Sequence, residues 1–293
     1  MTITRLVGLC SALVDLTMVV PALPERGGDV VASSSDSSVG GGLNALAAAV
    51  TAGLPAAYAG GHGSGPFGDR VRAALAAHGI DVLLAADPEE DTGYTVVLVD
   101  DDGERTFVTT VGAEGHLTAA ALSAYRPADG DAVYVSGYDL AYPHGPVVAT
   151  TVARLPDATV VLLDPGPLVA EIEPQLLDAV LAHTTWVSLN AREAELWTRR
   201  SDAREAADDV LSRAGAITGV VLRRGNDGCL VQTRGGAAHD VPAVPVERVV
   251  NTNGAGDVHV GTFVVGLARG LDPVAAAGVA NAAAGRRVAG ADS

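Results

Sequence analysis

The sequence predicts an α/β fold in which a central, mostly parallel sheet carries helices on both faces. Three observations lead there. Beyond Ala132, short apolar runs alternate with helical patterns, the signature of a parallel sheet covered on both sides. Of the 293 residues 48% are apolar and only 4% aromatic, so the core is one of Ala, Val and Leu. Such a length allows one large domain or two small ones, and the pattern is that of one domain over 1–293. Residues 249–270, VVNTNGAGDVHVGTFVVGLARG, then read as an apolar run, a turn of small residues and a helix.

Taken in order, residues 6–9 make a first strand and 13–16 continue it, with Asp15 at the strand end. A second β-like run at 17–20 and a loop at 21–28 follow. The segment after Arg5 imitates a signal peptide, but Asp15 interrupts it and no small-residue cleavage site follows. It reads as a buried strand. Residues 33–38 form a serine-rich loop, and Gly40, Gly41, Gly42 and Asn44 open a helix over 45–52. Glycines let a ligand approach the backbone, and an Asn amide both donates and accepts. Residues 56–60 are a strand, followed by a Gly-rich loop with His62 at the surface and Phe67 in the core, then a helix at 71–78. Runs 92–100 and 105–111 flank Asp101-Asp102-Gly103-Glu104 as a hairpin.

The alternation proper has strands at 133–136, 160–163, 186–189 and 220–222, with helices at 147–154, 176–183, 194–200 and 203–214. Ligands of parallel sheets bind beyond the carboxyl ends of the strands. Asp139, Asp164, Asn190 and Gly225 all stand at such ends. Asn190 and Glu193, three apart at a helix start, share a face. They suit a capping pair, a metal site, or both. Arg223, Gly225 and Gly228 belong to the turn before a strand at 229–233, and a helix at 274–284 carries Asn281.

The decisive stretch is the turn 251–256. Backbone N–H groups at a helix start lack intrahelical partners and sit at the positive end of the dipole. With Gly254, Ala255 and Gly256 there, the turn is a candidate anion cradle. Asp257 behind it either caps the helix or takes a proton from an alcohol attacking a phosphate.

Composition removes other chemistries. All 19 basic residues are arginine. Without lysine there is no Walker A loop, no Schiff base and no protein-kinase strand lysine. A formal charge of −16 repels nucleic acid and anionic membranes. No run reaches the length of a membrane span. Cys10 and Cys229 have no pairing or metal spacing, which suits a reducing, cytoplasmic compartment.

Residues 251–257, Asn-Thr-Asn-Gly-Ala-Gly-Asp, resemble the Asp-Thr-x-Gly-Ala-Gly-Asp signature of the ribokinase-like (PfkB) carbohydrate kinases, with Asn251 in place of the first Asp. Residues 39–44, Val-Gly-Gly-Gly-Leu-Asn, resemble the family's Gly-Gly-x-x-x-Asn signature, with Val39 replacing its first Gly. The family also carries an Asp soon after the first strand with a proline nine residues on, matched by Asp15 and Pro24. The resemblance implies a ribokinase-like fold with a small β-sheet lid from about 15–35 and 92–111, a dimer contact in several relatives. It implies transfer of the ATP γ-phosphate to a hydroxymethyl group of a sugar. Asp257 would be the base, and Gly254, Ala255 and Gly256 the anion cradle. Asp15, Gly40, Gly41, Gly42, Asn44 and Asp139 would contact the acceptor. Asn190, Arg223, Gly225, Gly228, Gly256 and Asn281 would line the nucleotide, with Mg²⁺ near Asn190 and Glu193. Asn251 stands where relatives hold a monovalent cation, and its uncharged amide implies weak K⁺ dependence or none. Arg105 in the hairpin reads as an exposed side chain or as a contact for an acidic sugar. A nucleoside kinase and a non-catalytic sugar-binding relative are the alternatives.

Overall fold

The computed structural model describes residues 2–291. The chain opens with β1 (Arg5–Leu9), β2 (Ala12–Val19), β3 (Ser34–Gly41), α1 (Leu43–Thr51) and β4 (Ala56–Tyr58). Next come α2 (Pro66–Ala77), β5 (Asp81–Val82), β6 (Tyr94–Val99), β7 (Arg105–Thr110) and the short α3 (Ala119–Leu122). The alternating part is β8 (Asp131–Ser136), α4 (Gly137–Ala141), α5 (Gly145–Val152), β9 (Val160–Asp164), α6 (Pro174–Leu181) and β10 (Trp186–Asn190). It continues through α7 (Ala191–Thr198), α8 (Ala203–Arg213), β11 (Gly219–Arg223), β12 (Cys229–Thr233) and β13 (Ala238–Val241). Two helices, α9 (Ala255–Ala268) and α10 (Pro273–Val288), complete the described chain.

Nine strands form the large sheet in the order β13-β12-β11-β10-β9-β8-β1-β4-β5. All neighbours are parallel except β11–β12 and β12–β13. Alternate residues of each strand enter two different cores, as a two-sided sheet requires. Val7, Val133, Val161, Val187 and Val220 face the core covered by α5, α6, α7 and α8. Leu6, Tyr134, Leu162, Trp186 and Val221 face the other, under α1, α2, α9 and α10. After β1 the chain turns to β4 and β5 on one side, then returns through β8 to the other. This reversal leaves a crevice beyond the strand ends, where ligands of open α/β sheets bind.

The second sheet has the order β3-β2-β6-β7, with β2 and β6 parallel and the outer pairs antiparallel. Here the expected boundaries change. The serine-rich loop expected at 33–38 belongs to β3, which pairs with β2 from Val19↔Ser34 to Ala12↔Gly41. A polar edge strand has no apolar alternation to reveal it, and its main-chain ladder suffices. Asp15 lies inside the continuous β2 and not at a strand end. The apolar run 241–250 leaves the sheet after Val241. Pro242 and Pro245 carry no N–H to donate to a ladder. His62, expected at the surface, is buried. Phe67 is half-buried and packs on Tyr94 with ring centroids 4.9 Å apart.

Candidate active site

A cavity of about 1030 Å³ opens beyond the carboxyl ends of the central strands, between the two sheets. That is the upper end of the size range for small-molecule pockets. The strand ends feed it directly: Ser11 follows β1, Ser136 closes β8, Asp164 closes β9, Asn190 closes β10 and Arg223 closes β11. The small sheet contributes Leu13, Asp15, Thr95, Phe107 and Thr109.

Helix α9 fixes the opposite wall. It is buried continuously from His259 to Gly266, and a β-carbon on Gly261 would lie 2.0 Å from the Ala45 carbonyl oxygen. Phe263 meets Trp186 edge-on at 5.0 Å. Such packing leaves the helix start no freedom to slide. Gly254 precedes it at φ 73°, in the left-handed region that favours glycine. A β-carbon there would stand 2.8 Å from Asn44 Nδ2, and one on Gly256 would stand 2.7 Å from Arg223 Nη1. The backbone at Gly254 and Gly256 thus leaves no room for a side chain beside Asn44 and Arg223. The N–H of Ala255 turns back to the Thr252 carbonyl at 3.3 Å.

Asp257, in the first turn of α9, is partly buried and lines the cavity. Its Oδ2 accepts a hydrogen bond from Asn44 Nδ2 at 3.3 Å. Burial, then repulsion from Asp164, pushes its carboxyl up to about 7, against the opposing pull of Asn44 and Arg223. Burial and Asp164 also raise Glu193. One guanidinium offsets these charges: Arg223 Nη2 lies 2.9 Å from Asp164 Oδ2 and 3.5 Å from Glu193 Oε2. Asn190 and Glu193 form a reciprocal capping box, at 2.9 and 2.7 Å.

On the acceptor side, Asp15 Oδ2 receives Asn253 Nδ2 at 3.5 Å, and burial raises its carboxyl. Gly41, Gly42 and Asn44 line the cavity as expected. Gly40 does not, but a β-carbon on it would fall 2.5 Å from Asp15 Oδ2, so it makes room for that carboxylate. Asp139, expected to contact the acceptor, is buried behind Ser11 and outside the cavity lining. It accepts from the Ser11 N–H at 2.9 Å and from its hydroxyl at 2.6 Å, with His144 Nε2 at 3.3 Å. Ser11 therefore presents its lone pairs to the cavity.

On the nucleotide side, Gly225, Gly228 and Asn281 line the same cavity as Val244, Val246 and Val249. Asn281 differs from expectation: its Nδ2 donates to the carbonyls of Val241 and Pro242, at 3.1 and 3.0 Å, and so anchors this loop. Its Oδ1 accepts from His259 Nε2 at 3.1 Å, and burial lowers His259 to about 3, keeping it neutral. Asn251 lies outside the cavity lining, and its Oδ1 accepts from Arg105 Nη2 at 2.7 Å and from the Asn253 N–H at 2.8 Å. Arg105 therefore reaches the turn and contacts no acceptor space. Ser11, Phe107, Tyr138, Asp164 and His259 are site residues that motif reading missed. The strand-end rule already marked Asp164, and applied to the first strand it also finds Ser11.

Residues 4–290 match the model of the pfkB family carbohydrate kinases. The chain belongs to this family. It is 33% identical over 278 residues to the uncharacterized sugar kinase YegV of Escherichia coli (strain K12), covering 94% of this chain and 85% of that one. The fold is similar to that of adenosine kinase from Sinorhizobium meliloti, with a TM-score of 0.83, 20% identity and coverage of 98% and 94%. It also resembles ribokinase from Cryptococcus neoformans var. grubii serotype A in complex with ADP, with a TM-score of 0.80, 22% identity and coverage of 98% and 94%. As a member of the pfkB family of carbohydrate kinases the chain is a phosphotransferase. No helix among the described residues is long and apolar enough to cross a membrane.

Proposed function

We propose that this carbohydrate kinase moves the γ-phosphate of ATP to a hydroxymethyl group held between Asp15, Asn44 and Ser11, with Asp257 as the base. The observation that carries the reading is that Asp257 and Asp15 face one cavity across Asn44, with the glycine-lined start of α9 beside them. A carboxyl poised near neutrality takes the alcohol proton as the bond to phosphorus forms. The N–H groups of Gly254 and Gly256, at the positive end of α9, stabilise charge on the phosphate oxygens. The small sheet then acts as the lid that keeps water from competing with the alcohol.

The residues present fit Mg²⁺. Asp164, Glu193 and Asp257 outnumber Arg223, and both Glu193 and Asp257 are pushed up by the unrelieved repulsion and burial. Among the described residues no three His, Cys, Asp or Glu are placed to hold a metal alone. Mg²⁺ prefers to keep waters and phosphate oxygens, with one or two carboxylates, and Glu193 beside Asn190 would supply that contact. Bound there it would neutralise phosphate charge.

Asp257→Asn tests the base. Turnover should fall on the order of 10²–10⁴-fold while the acceptor KM changes little; a variant that keeps most of its turnover removes the assignment. Asn251 Oδ1 is already engaged by Arg105 and Asn253, so replacing Na⁺ with K⁺ should leave turnover unchanged. Strong activation by K⁺ would refute this.

A nucleoside acceptor is the second reading, and one observation favours it. Although the chain holds few aromatics, Phe107, Tyr138 and Tyr142 all border the cavity, and Phe107 and Tyr138 are 54% and 42% exposed. Such faces can stack a base. Measuring ADP release across a panel of sugars and nucleosides decides between them.

A further inference from the structure

We propose that Arg105 is a positioning residue that latches the small sheet onto the turn carrying the anion cradle. The kinetic part of the proposal rests on the phosphotransfer reading above; the structural part does not.

Arg105 opens β7, the outer strand of the small sheet. Its Nη1 donates to Thr252 Oγ1 at 2.8 Å and its Nη2 to Asn251 Oδ1 at 2.7 Å. One planar fork thus grips two consecutive side chains, 146 and 147 positions away in sequence. Asn251 Oδ1 also accepts the Asn253 N–H at 2.8 Å, so the oxygen that holds the arginine also shapes the turn. Further ties hold the turn. The N–H groups of Val250 and Asn251 donate to the Val288 carbonyl at 2.8 and 3.2 Å, Arg287 Nε donates to the Asn253 carbonyl at 3.1 Å from α10, and Asn253 Nδ2 reaches Asp15 on β2 at 3.5 Å.

This turn needs such ties. Between Val241 and Ala255 the chain has neither helix nor strand, and Val249 and Val250 are 61% and 58% exposed. Little apolar burial holds it, and a segment with few buried contacts opens at low cost. The N–H groups of Gly254 and Gly256 stabilise a phosphoryl group only when the turn is already in place, because preorganisation is the source of the effect. The Arg105 bonds form only with β7 over the cavity mouth. Seating of the small sheet and ordering of the cradle are therefore one event.

The test is a double-mutant cycle on Arg105→Ala and Asn251→Ala, read by hydrogen exchange of residues 251–257 in the ligand-free protein. Each single variant should speed exchange roughly tenfold, the scale of one charge-assisted hydrogen bond. The double variant should speed exchange by less than the product of the two single effects, because the Arg105–Asn251 bond is shared, and Arg105→Lys should recover part of the protection. With the acceptor found by the panel, Arg105→Ala should also release more than one ADP per phosphorylated product, which a loss of general stability would not cause. Unchanged exchange in Arg105→Ala, or strictly additive effects of the two substitutions, overturns the latch. An Asp257→Asn enzyme that keeps its turnover beside a loosened Arg105→Ala turn would remove the base assignment and leave the latch standing.

Discussion

As the proposed base, Asp257 would set both rate and stability. Its carboxyl lies at about 7 against an ordinary 3.8, because burial and Asp164 disfavour the charge more than Asn44 and Arg223 favour it. A base works only when deprotonated, so kcat/KM should fall as pH drops below about 7, with a slope approaching one decade per pH unit. The linkage runs the other way for stability. A raised folded-state value means the native protein binds this proton more tightly than the unfolded chain does. The contribution is fully present below about 4 and is lost as pH rises through 7. The shift corresponds to at most about 4 kcal/mol, and to less for a carboxyl that faces an open cavity. Asp257→Asn should therefore be more resistant to urea than the parent at pH 8, with the difference vanishing towards pH 4. An equal urea midpoint for the two proteins at pH 8 would show that the carboxylate is not under strain.

At the scale of elements, the start of α9 is where sequence and structure agree best. The small-residue turn, the helix after it and the position of Asp257 follow from residue types, glycine being favoured at the φ of 73° of residue 254, whereas the strand expected up to Val250 ends at Val241. Gly254→Ala should cost about 1–2 kcal/mol in backbone strain. Because the new β-carbon would displace Asn44, it should also lower turnover by about 10²-fold, as small misplacements at a reacting centre do. Normal turnover in that variant would mean that Asn44 and the turn need not touch. What the sequence did not disclose has a common cause. The serines of β3 carry no apolar period, the prolines and valines of 241–250 look like a strand but line a cavity, and His62 is buried by tertiary packing alone. Asp139 and Asn281 sat at plausible positions, yet their hydrogen bonds go to Ser11 and to the Val241–Pro242 carbonyls. Spacing shows where a polar residue stands in the chain. Which partner satisfies it depends on elements that are distant in sequence.

Across the whole molecule the two sheets differ in how they are held, and this difference would permit the proposed closing motion. The inner strands of the large sheet, β1, β4 and β8 to β12, are buried on both faces, with Val7, Val133, Val187 and Val220 fully enclosed. In the small sheet, β3 and β7 are exposed along most of their length, and Val108 is 63% exposed. Such strands have few apolar contacts to lose, so local opening there should lie far below the global unfolding free energy. Among the described residues, the hydrogen bonds from β2 and β7 to the turn are those of Asp15 to Asn253 and of Arg105 to Asn251 and Thr252. A ligand that bridges Asp15 and Asn44 adds to these ties and shifts the population towards the seated sheet. Hydrogen exchange should therefore be fast in β3, β6 and β7 of the free enzyme and slow by about tenfold or more when acceptor and a non-hydrolysable ATP analogue are both present. Exchange in β1, β8, β9 and β10 should not change between the two states. If protection instead rose uniformly over both sheets, the ligands would be acting on global stability, and the small sheet would be a fixed wall of the cavity with no role in closing it.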